Sequence, residues 1–173
     1  MTALDIELVR LTPEDWMSHR ALRLRALATD PSAFGASYAD NAAYDEATWR
    51  SRLATATYWQ ARSEGAPVGM IGLWDPVHDT GGSAGLPQDA DVAPFVISMF
   101  VLPTARHRGV GRALLNAALD EARARGYRQI VLDVTEGNAA AVALYQSAGF
   151  RVAEERQPPV GNGCQVGMVL DLG

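Results

Sequence analysis

The order of apolar and polar residues predicts strands and helices along the whole chain. Residues 6–9 alternate in polarity as a strand does. Thr12, which is followed by Pro13 and two acidic residues, predicts the N-terminus of a helix that continues to about Ala28. On the helical period, one apolar face of this helix is expected to carry Met17, Ala21, Leu24 and Ala28.

The segment after this helix predicts a loop, a second helix and a hairpin. Residues 32–43 are mostly small and polar, which predicts a loop, and Asp45 then predicts the N-cap of a helix that runs through Leu53. Residues 58–62 and 68–74 are rich in apolar and aromatic residues and are separated by a turn-forming segment. They are therefore expected to form an antiparallel hairpin.

A strand, a loop and a helix in the middle of the chain have the pattern of an anion-binding motif. Residues 96–101 form a run of strand length, and Pro103 ends it because proline cannot donate a ladder hydrogen bond. Gly109 and Gly111 stand where an amphipathic helix begins, and Gly126 stands where it ends. Glycine lets the backbone approach a ligand closely, and the free N–H groups of a helix N-terminus attract anions. The pattern predicts that a phosphate-like group binds there.

The C-terminal part of the chain predicts the remainder of one sheet. Residues 128–134 form another apolar strand, which is parallel to the previous one if the helix between them is a right-handed crossover. Residues 138–147 predict a short helix, and residues 151–155 and 165–170 predict a closing antiparallel pair. The expected fold class is α/β (α+β), with one mixed sheet of about seven strands and about four helices.

Length and composition predict a single domain over residues 1–173. Of the 173 residues, 48% are hydrophobic and 20% charged, and no apolar run reaches the length of a membrane helix. The N-terminus lacks the pattern of a signal peptide, so a cytoplasmic location is expected. Cys164 is the only cysteine, which excludes an intrachain disulfide, and no cluster of Cys and His accompanies it. No metal is therefore expected.

Charge is distributed unevenly along the chain. The formal net charge is −5, yet residues 102–128 contain six Arg and two acidic residues, so this segment carries +4 and the remainder carries −9. Residues 75–91 contain four Asp and no Arg, and their composition predicts a flexible acidic loop. A basic segment in an acidic chain indicates a bound polyanion, and the acidic total disfavours nucleic acid and anionic membranes as partners.

Two motifs resemble the signatures of a known family. The first, directly after the apolar strand, reads Arg106-x-x-Gly109-x-Gly111. The second, one predicted strand later, reads Asn138-x-x-Ala141-x-x-Leu144-Tyr145-x-x-x-Gly149-Phe150. Each motif alone is weak because short glycine patterns arise by chance, but the two in this order are specific. They resemble the acetyl-CoA-binding signatures of the GCN5-related N-acetyltransferases (GNAT).

The resemblance implies a single-domain GNAT-like fold with acetyl-CoA as cosubstrate. It implies that the two central parallel strands, which end near Val101 and Val134, splay apart to admit the pantetheine arm. The pyrophosphate would lie on the N–H groups of residues 108–112, and nearby arginines would either contact phosphates or be solvated surface charges. The residues implied in cofactor binding are Met99, Phe100, Val101, Arg106, His107, Arg108, Gly109, Val110, Gly111, Arg112, Asn138, Ala141 and Tyr145.

Tyr145 is also the general acid that the resemblance implies. A phenol with a pKa near ~10 is protonated at neutral pH, so a tyrosine has a proton to offer to a departing thiolate, whose thiol has a pKa near ~8.5. The alternative role for Tyr145 is packing against the core, and the alternative role for Asn138 is capping its helix. The general base is left open between Asp91, Asp133 and an ordered water.

The predicted function is acetyl-CoA-dependent N-acetyl transfer, directly to a primary amine of a small molecule, an amino acid or a peptide, by a monomer or homodimer. In the resembled family, segments between the first two helices wall the acceptor site, so Phe34, Tyr38 and Trp49 either contact the acceptor or pack in the core. The acidic remainder of the chain favours cationic acceptors over anionic sugar phosphates or nucleic acids. The alternative function is a non-catalytic regulatory module that binds acetyl-CoA or a nucleotide, in which the Tyr145 hydroxyl is dispensable.

Overall fold

Seven strands form one mixed sheet, as predicted. The structure is a computed structural model, and it describes residues 4–76, 93–153 and 165–173. The strands are β1 (Glu7–Arg10), β2 (Ala56–Ser63), β3 (Ala66–Trp74), β4 (Phe95–Val101), β5 (Gln129–Thr135), β6 (Arg151–Val152) and β7 (Gln165–Asp171). They lie in the order β1-β2-β3-β4-β5-β7-β6.

The described residues contain five α-helices, one more than expected. They are α1 (Trp16–Thr29), α2 (Tyr38–Ala42), α3 (Glu46–Thr55), α4 (Val110–Ala124) and α5 (Ala139–Ser147). The additional helix, α2, lies in residues 32–43, for which the prediction of a loop was wrong. The Ser37 hydroxyl caps this helix by accepting a hydrogen bond from the Asp40 N–H at 3.0 Å. Since Asn41 is its only buried residue, α2 has no apolar stripe from which to predict it.

The two predicted hairpin-like pairs are confirmed. Strands β2 and β3 pair antiparallel around a tight turn, and β6 and β7 pair antiparallel at the far edge of the sheet. The loop predicted between β6 and β7 lies outside the described residues, as do residues 77–91 of the predicted acidic loop.

The central strands β4 and β5 are parallel neighbours, as predicted, and they are joined at one position. Phe95 pairs with Val131, and the Val131 N–H donates to the Pro94 carbonyl at 3.0 Å. No further pair joins the two strands among the described residues, so their C-terminal ends separate. This separation opens a gap within the sheet, beyond Phe95 and Val131.

A bulge interrupts β4 just before its C-terminal end. Met70 of β3 pairs with Phe100 and Gly72 pairs with Ile97, so two residues of β4 oppose one residue of β3. Ser98, one of these two residues of β4, has a left-handed φ of 56°. The bulge changes the direction of the backbone where β4 reaches the gap.

Helix α1 turns a different face to the core from the one predicted. Met17 is 65% exposed and Ala21 and Ala28 are exposed, whereas His19 and Arg23 are buried. The remaining buried residues of α1 are Leu22, Leu24, Ala26 and Leu27. The apolar face was assigned wrongly because the buried face of α1 carries one histidine and one arginine, which the polarity pattern counts as surface.

Asp75, at the end of β3, is a buried residue and not part of a flexible acidic loop. It is 2% exposed, and its carboxylate accepts hydrogen bonds from Arg125 Nη1 at 3.0 Å and from the Tyr127 hydroxyl. Arg125 also donates to Glu121 at 2.7 Å. These bonds fix the C-terminal end of α4 to the end of β3, and they neutralise the charge of Asp75 locally.

Helix α4 lies on the sheet through its predicted apolar stripe. Val110, Leu114, Leu115 and Leu119 are buried against the sheet. Gly69 of β3 lies beneath this helix, and a Cβ there would approach Leu114 Cδ1 to 3.0 Å. The absence of a side chain at Gly69 therefore permits close packing of α4, which places the N-terminus of α4 beside the gap between β4 and β5.

Candidate active site

A cleft of about 680 Å³ lies at the gap between β4 and β5. Its walls come from the end of β4, the loop before α4, the first turns of α4 and α5, and the segment that follows α1. The lining residues are Asp30, Ser32, Ala33, Phe34, Met99, Phe100, Val101, Arg106, His107, Gly109, Gly111, Arg112, Thr135, Gly137, Asn138, Ala140, Ala141, Leu144 and Tyr145. The predicted site residues thus meet around one cleft, with the exceptions of Arg108 and Val110.

The loop before α4 turns sharply into the helix at Gly109. Gly109 is the N-cap of α4 and has a left-handed φ of 84°, and a Cβ there would meet nothing within 4 Å. The reason for glycine at this position is therefore backbone conformation. His107, two residues earlier, also has a positive φ of 59° and is exposed. The turn leaves the first N–H groups of α4 at the edge of the cleft.

Gly111 serves a different purpose from Gly109. A Cβ at Gly111 would approach Leu144 Cδ2 to 3.2 Å and Met99 Cε to 3.3 Å. Glycine at this position therefore permits α4 to pack closely against α5 and β4. This packing brings the N-terminus of α4 to the mouth of the gap, where the sequence had predicted close approach of a ligand.

The basic residues of the loop are partly held by protein groups. Arg106 donates from Nε to the Val101 carbonyl at 2.9 Å and from Nη2 to the Asp30 carboxylate. Arg112 donates to the Ser147 hydroxyl. Val110 is 1% exposed and packs in the core. Arg106 therefore connects the end of β4 to the end of α1, in addition to any role toward a ligand.

Tyr145 lies on α5 at the wall of the cleft. It is 5% exposed, and its ring packs edge-on against Phe150 with the centroids 5.8 Å apart. Burial raises the pKa of Tyr145, so that the hydroxyl keeps its proton at neutral pH. The Asn138 side chain accepts a hydrogen bond from the Ala141 N–H at 3.2 Å, so Asn138 caps α5 and also lines the cleft.

Of the three aromatic residues predicted as possible acceptor contacts, Phe34 alone lines the cleft. Its ring packs against Phe100 with the centroids 6.5 Å apart. Trp49 is fully buried and packs against His19 and Tyr44. Tyr38 is 50% exposed and lies away from the cleft. The alternative of core packing therefore holds for Trp49.

Neither of the two carboxylates predicted as candidate general bases is among the described residues that line the cleft. Asp133 is exposed on β5, on the face opposite Leu132 and Val134, and does not line the cleft. Asp91 lies outside the described residues. The only carboxylate that lines the described cleft is Asp30, which is bonded to Arg106.

Several lining residues were not identified from the sequence. Ser32 and Ala33 come from the turn after α1, and Thr135 donates to the Ser32 carbonyl at 3.1 Å, which joins this turn to the end of β5. Leu144 was identified only as part of a motif. These residues carry no periodic or charged signal that could have placed them at a site.

The described ranges contain neither a cluster of metal ligands nor a helix that could span a membrane. There, no three or more side chains of His, Cys, Asp or Glu are grouped to hold a metal ion. None of the helices found in those ranges has the length and apolar character to span a membrane.

The chain belongs to the acetyltransferase (GNAT) family, whose profile matches residues 10–150. Solved structures agree in fold. An acetyltransferase of the GNAT family from Streptococcus pneumoniae is similar with a TM-score of 0.75 and 20% identity, over 98% of this chain and 100% of that one. YncA from Salmonella typhimurium, solved with its cofactor acetyl-CoA, is similar with a TM-score of 0.70 and 21% identity, over 97% and 94% of the two chains.

Three relatives that match part of the chain are N-acetyltransferases or acetyltransferases. The ribosomal protein bS18-alanine N-acetyltransferase of Escherichia coli (strain K12) is 35% identical over 100 residues, 50% of this chain and 68% of that protein. The mycothiol acetyltransferase of Thermobispora bispora is 34% identical over 137 residues, 79% of this chain and 42% of that protein. Human N-acetyltransferase 8 is 35% identical over 94 residues, 54% of this chain and 38% of that protein. The chain thus spans less than half the length of two of these three relatives.

Proposed function

We propose that the protein is an acetyl-CoA-dependent N-acetyltransferase that acts on a primary amine of a small molecule, an amino acid or a peptide. One observation carries this proposal: the N-terminus of α4 and the hydroxyl-bearing wall at Tyr145 border one cleft, at the gap between two parallel strands. The names of the relatives and the acetyl-CoA of the YncA structure support the same chemistry.

The described residues fit acetyl-CoA in three respects. The N-cap Gly109 exposes the first N–H groups of α4 to an anion such as a pyrophosphate. Arg112 and His107 border the same end of the cleft and supply hydrogen-bond donors. Beyond Phe95, the edge of β4 that faces the gap pairs with no strand of the described residues, so Met99 and Val101 can offer main-chain groups to an extended pantetheine arm, although the Val101 carbonyl is already bonded to Arg106.

The reaction requires the amine nitrogen to attack the thioester carbonyl carbon. A carbon–nitrogen bond forms, the carbon–sulfur bond breaks, and the thiolate that departs takes a proton from the Tyr145 hydroxyl. Burial raises the pKa of Tyr145, which keeps the phenol protonated before the reaction but makes it a weaker acid toward the thiolate, so the proposed role rests on the position of Tyr145 at the wall of the cleft. Phenolate then recovers a proton from solvent.

The amine must lose a proton, and we assign this step to water. The only carboxylate that borders the described cleft is Asp30, which Arg106 already engages. A base of this kind would be held in an ion pair and poorly placed to accept a proton. An ordered water, bonded to main-chain groups at the gap, needs no such side chain.

Substitution of Tyr145 by Phe tests this proposal against the non-catalytic alternative. It removes the proton donor and keeps the ring packing with Phe150, so we expect kcat to fall by ~10- to 1000-fold with acetyl-CoA affinity nearly unchanged. Calorimetry with acetyl-CoA gives the affinity, and rates on a panel of amines give kcat where chemistry limits the rate. Tyr38→Phe, which changes an exposed tyrosine away from the cleft, is the matched control. A protein that binds acetyl-CoA but acetylates no amine in the panel favours the regulatory module.

A further inference from the structure

A group of polar side chains, four of them buried and one partly exposed, lies among α1, α2, α3 and β2, and we call it the helix cluster. It consists of His19, Arg23, Asn41, Trp49 and Arg52. The imidazole of His19 packs against Trp49 at 5.8 Å and against the Tyr58 ring at 4.5 Å. The guanidinium carbon of Arg52 lies 5.8 Å from the Trp49 ring. His19, Arg23, Asn41 and Trp49 are each at most 5% exposed.

The helix cluster has more hydrogen-bond donors than acceptors. The buried atoms of the cluster that have no hydrogen-bond partner among the described residues are the Nε and Nη1 of Arg23, the Nε of Arg52, the Nε1 of Trp49, both ring nitrogens of His19 and the Oδ1 of Asn41. A neutral imidazole has one donor and one acceptor. The other unpartnered nitrogens can only donate, and Asn41 Oδ1 is the one unpartnered oxygen of the cluster. The cluster is therefore complementary to a group rich in acceptors.

The helix cluster also carries uncompensated positive charge. Neither Arg23 nor Arg52 forms an ion pair with a carboxylate of the described residues. Their guanidinium groups lie over aromatic faces, with Arg23 at 4.8 Å from the Phe34 ring and Arg52 at 5.7 Å from the Tyr44 ring. A cation–π contact offsets only part of the desolvation of a buried charge. An anion at this position would supply the missing acceptors and the missing charge together.

Phe34 contacts both the helix cluster and the cleft. The ring of Phe34 lines the cleft on one side, where it packs on Phe100, and lies beneath the Arg23 guanidinium on the other. Arg23 itself does not line the cleft. An acceptor in the cleft would therefore contact Arg23 only after the Phe34 or the Arg23 side chain has turned.

We propose that Arg23, supported by Arg52, binds a carboxylate of the acceptor, so that the acceptor class is an amine that also bears a carboxylate. This inference rests on the proposed function, since it names the acceptor of that site. A planar carboxylate can accept two parallel hydrogen bonds from one guanidinium, which suits a space bounded by flat aromatic rings. The carboxylate belongs either to a free amino acid or to an acidic residue of a peptide.

The test compares amines that bear a carboxylate with amines that bear a carboxamide or a phosphonate instead. Initial rates with saturating acetyl-CoA are measured for L-amino acids, their α-carboxamides, C-terminally amidated dipeptides with an acidic second residue, and 2-aminoethylphosphonate. We expect carboxylates to exceed the matched amides in kcat/KM by about 10- to 100-fold. The first and third sets distinguish an α-carboxylate from a side-chain carboxylate.

Variants of Arg23 and Arg52 test whether the preference for acceptors with a carboxylate comes from the helix cluster. We expect Arg23→Gln to remove the preference by raising KM for carboxylates, with kcat, the rates on amides and the KM for acetyl-CoA within about twofold of wild type. Arg23→Lys keeps the charge and should retain part of the preference. Arg25→Gln changes an exposed residue of the same helix and is the matched control. If a thermal melt shows that Arg23→Gln does not fold, Arg52→Gln is measured instead, because Arg52 is partly exposed.

Three outcomes overturn the carboxylate site and leave the proposed function standing. They are equal use of carboxylates and amides by the wild type, preference for the phosphonate, and equal loss of both substrate types in Arg23→Gln. Calorimetry with the same amino acid and amide, in the presence of CoA, measures the site without turnover. Selective carboxylate binding by a protein that acetylates none of these amines supports the site and overturns the proposed function.

Discussion

His19 gives the folding stability of the protein a specific dependence on pH. Its imidazole is fully buried, and desolvation, followed by repulsion from Arg52 and Arg23, lowers its pKa from 6.5 to about 3. Tyr58 faces it from β2 and Trp49 from α3. In the folded state His19 is therefore neutral at pH 5, whereas in the unfolded state it takes up a proton below about pH 6.5. Stability is fully present above pH 6.5 and is lost as the pH falls toward 3.

The loss of unfolding free energy at pH 5 depends mainly on the pKa of His19 in the unfolded chain. With an ordinary unfolded pKa, proton uptake by the unfolded chain at pH 5 lowers the free energy of unfolding by about 2 kcal/mol relative to pH 8. The value hardly changes if the folded pKa lies a unit above or below 3, since the native imidazole stays neutral at pH 5 in either case. His19→Phe removes the titration and keeps a ring between Trp49 and Tyr58.

Urea unfolding at pH 8 and pH 5, on the wild type and His19→Phe, measures this contribution as a difference of differences. Carboxylates titrate in both proteins and cancel, so we expect the variant to lose about 2 kcal/mol less than the wild type between the two pH values. Equal losses in the two proteins would show that His19 accepts its proton as readily in the folded state as in the unfolded one. The account of a buried, neutral imidazole would then be wrong.

Two further substitutions test the packing around the site. Gly111→Val should weaken acetyl-CoA binding at least ~10-fold by calorimetry, because its side chain presses Leu144 and moves the N-terminus of α4; an unchanged affinity places the phosphate site elsewhere. Asp75→Asn should lower the free energy of unfolding by about 1–3 kcal/mol in urea, since it removes the buried charge that faces Arg125 and Tyr127. An unchanged midpoint would mean that Arg125 relies on its other partners alone.

The sequence predicts the parts of this fold in which local pattern and burial coincide. The buried residues of segment 96–101 and of α4 are all apolar, so the polarity pattern located both β4 and α4. The glycines of the loop predicted a helix N-terminus at the cleft, although only Gly109 owes its conformation to a positive φ. Tyr145 was located by its motif, and its role in acid catalysis stays a prediction.

The remainder depends on contacts between distant parts of the chain. Asp75 has the sequence context of a loop acid, and its partner Arg125 lies fifty residues further on, so no local pattern indicates its burial. Buried His19 and Arg23 reversed the predicted face of α1 for the same reason. Because Asp75 is buried and paired, it adds no free negative charge, which weakens the electrostatic argument for cationic acceptors. The other three Asp residues of the acidic segment 75–91 lie outside the described part of the chain.

The single paired position between β4 and β5 has a mechanical consequence. Beyond Phe95 and Val131, side-chain packing joins the two halves of the sheet, since Phe100 on one side and Leu132 and Val134 on the other belong to the same core. Packing is non-directional, whereas ladder hydrogen bonds fix both distance and direction. The width of the gap can therefore change slightly without breaking a ladder bond. Under a force pulling across the strands, the sheet should separate at this seam before any of its antiparallel pairs.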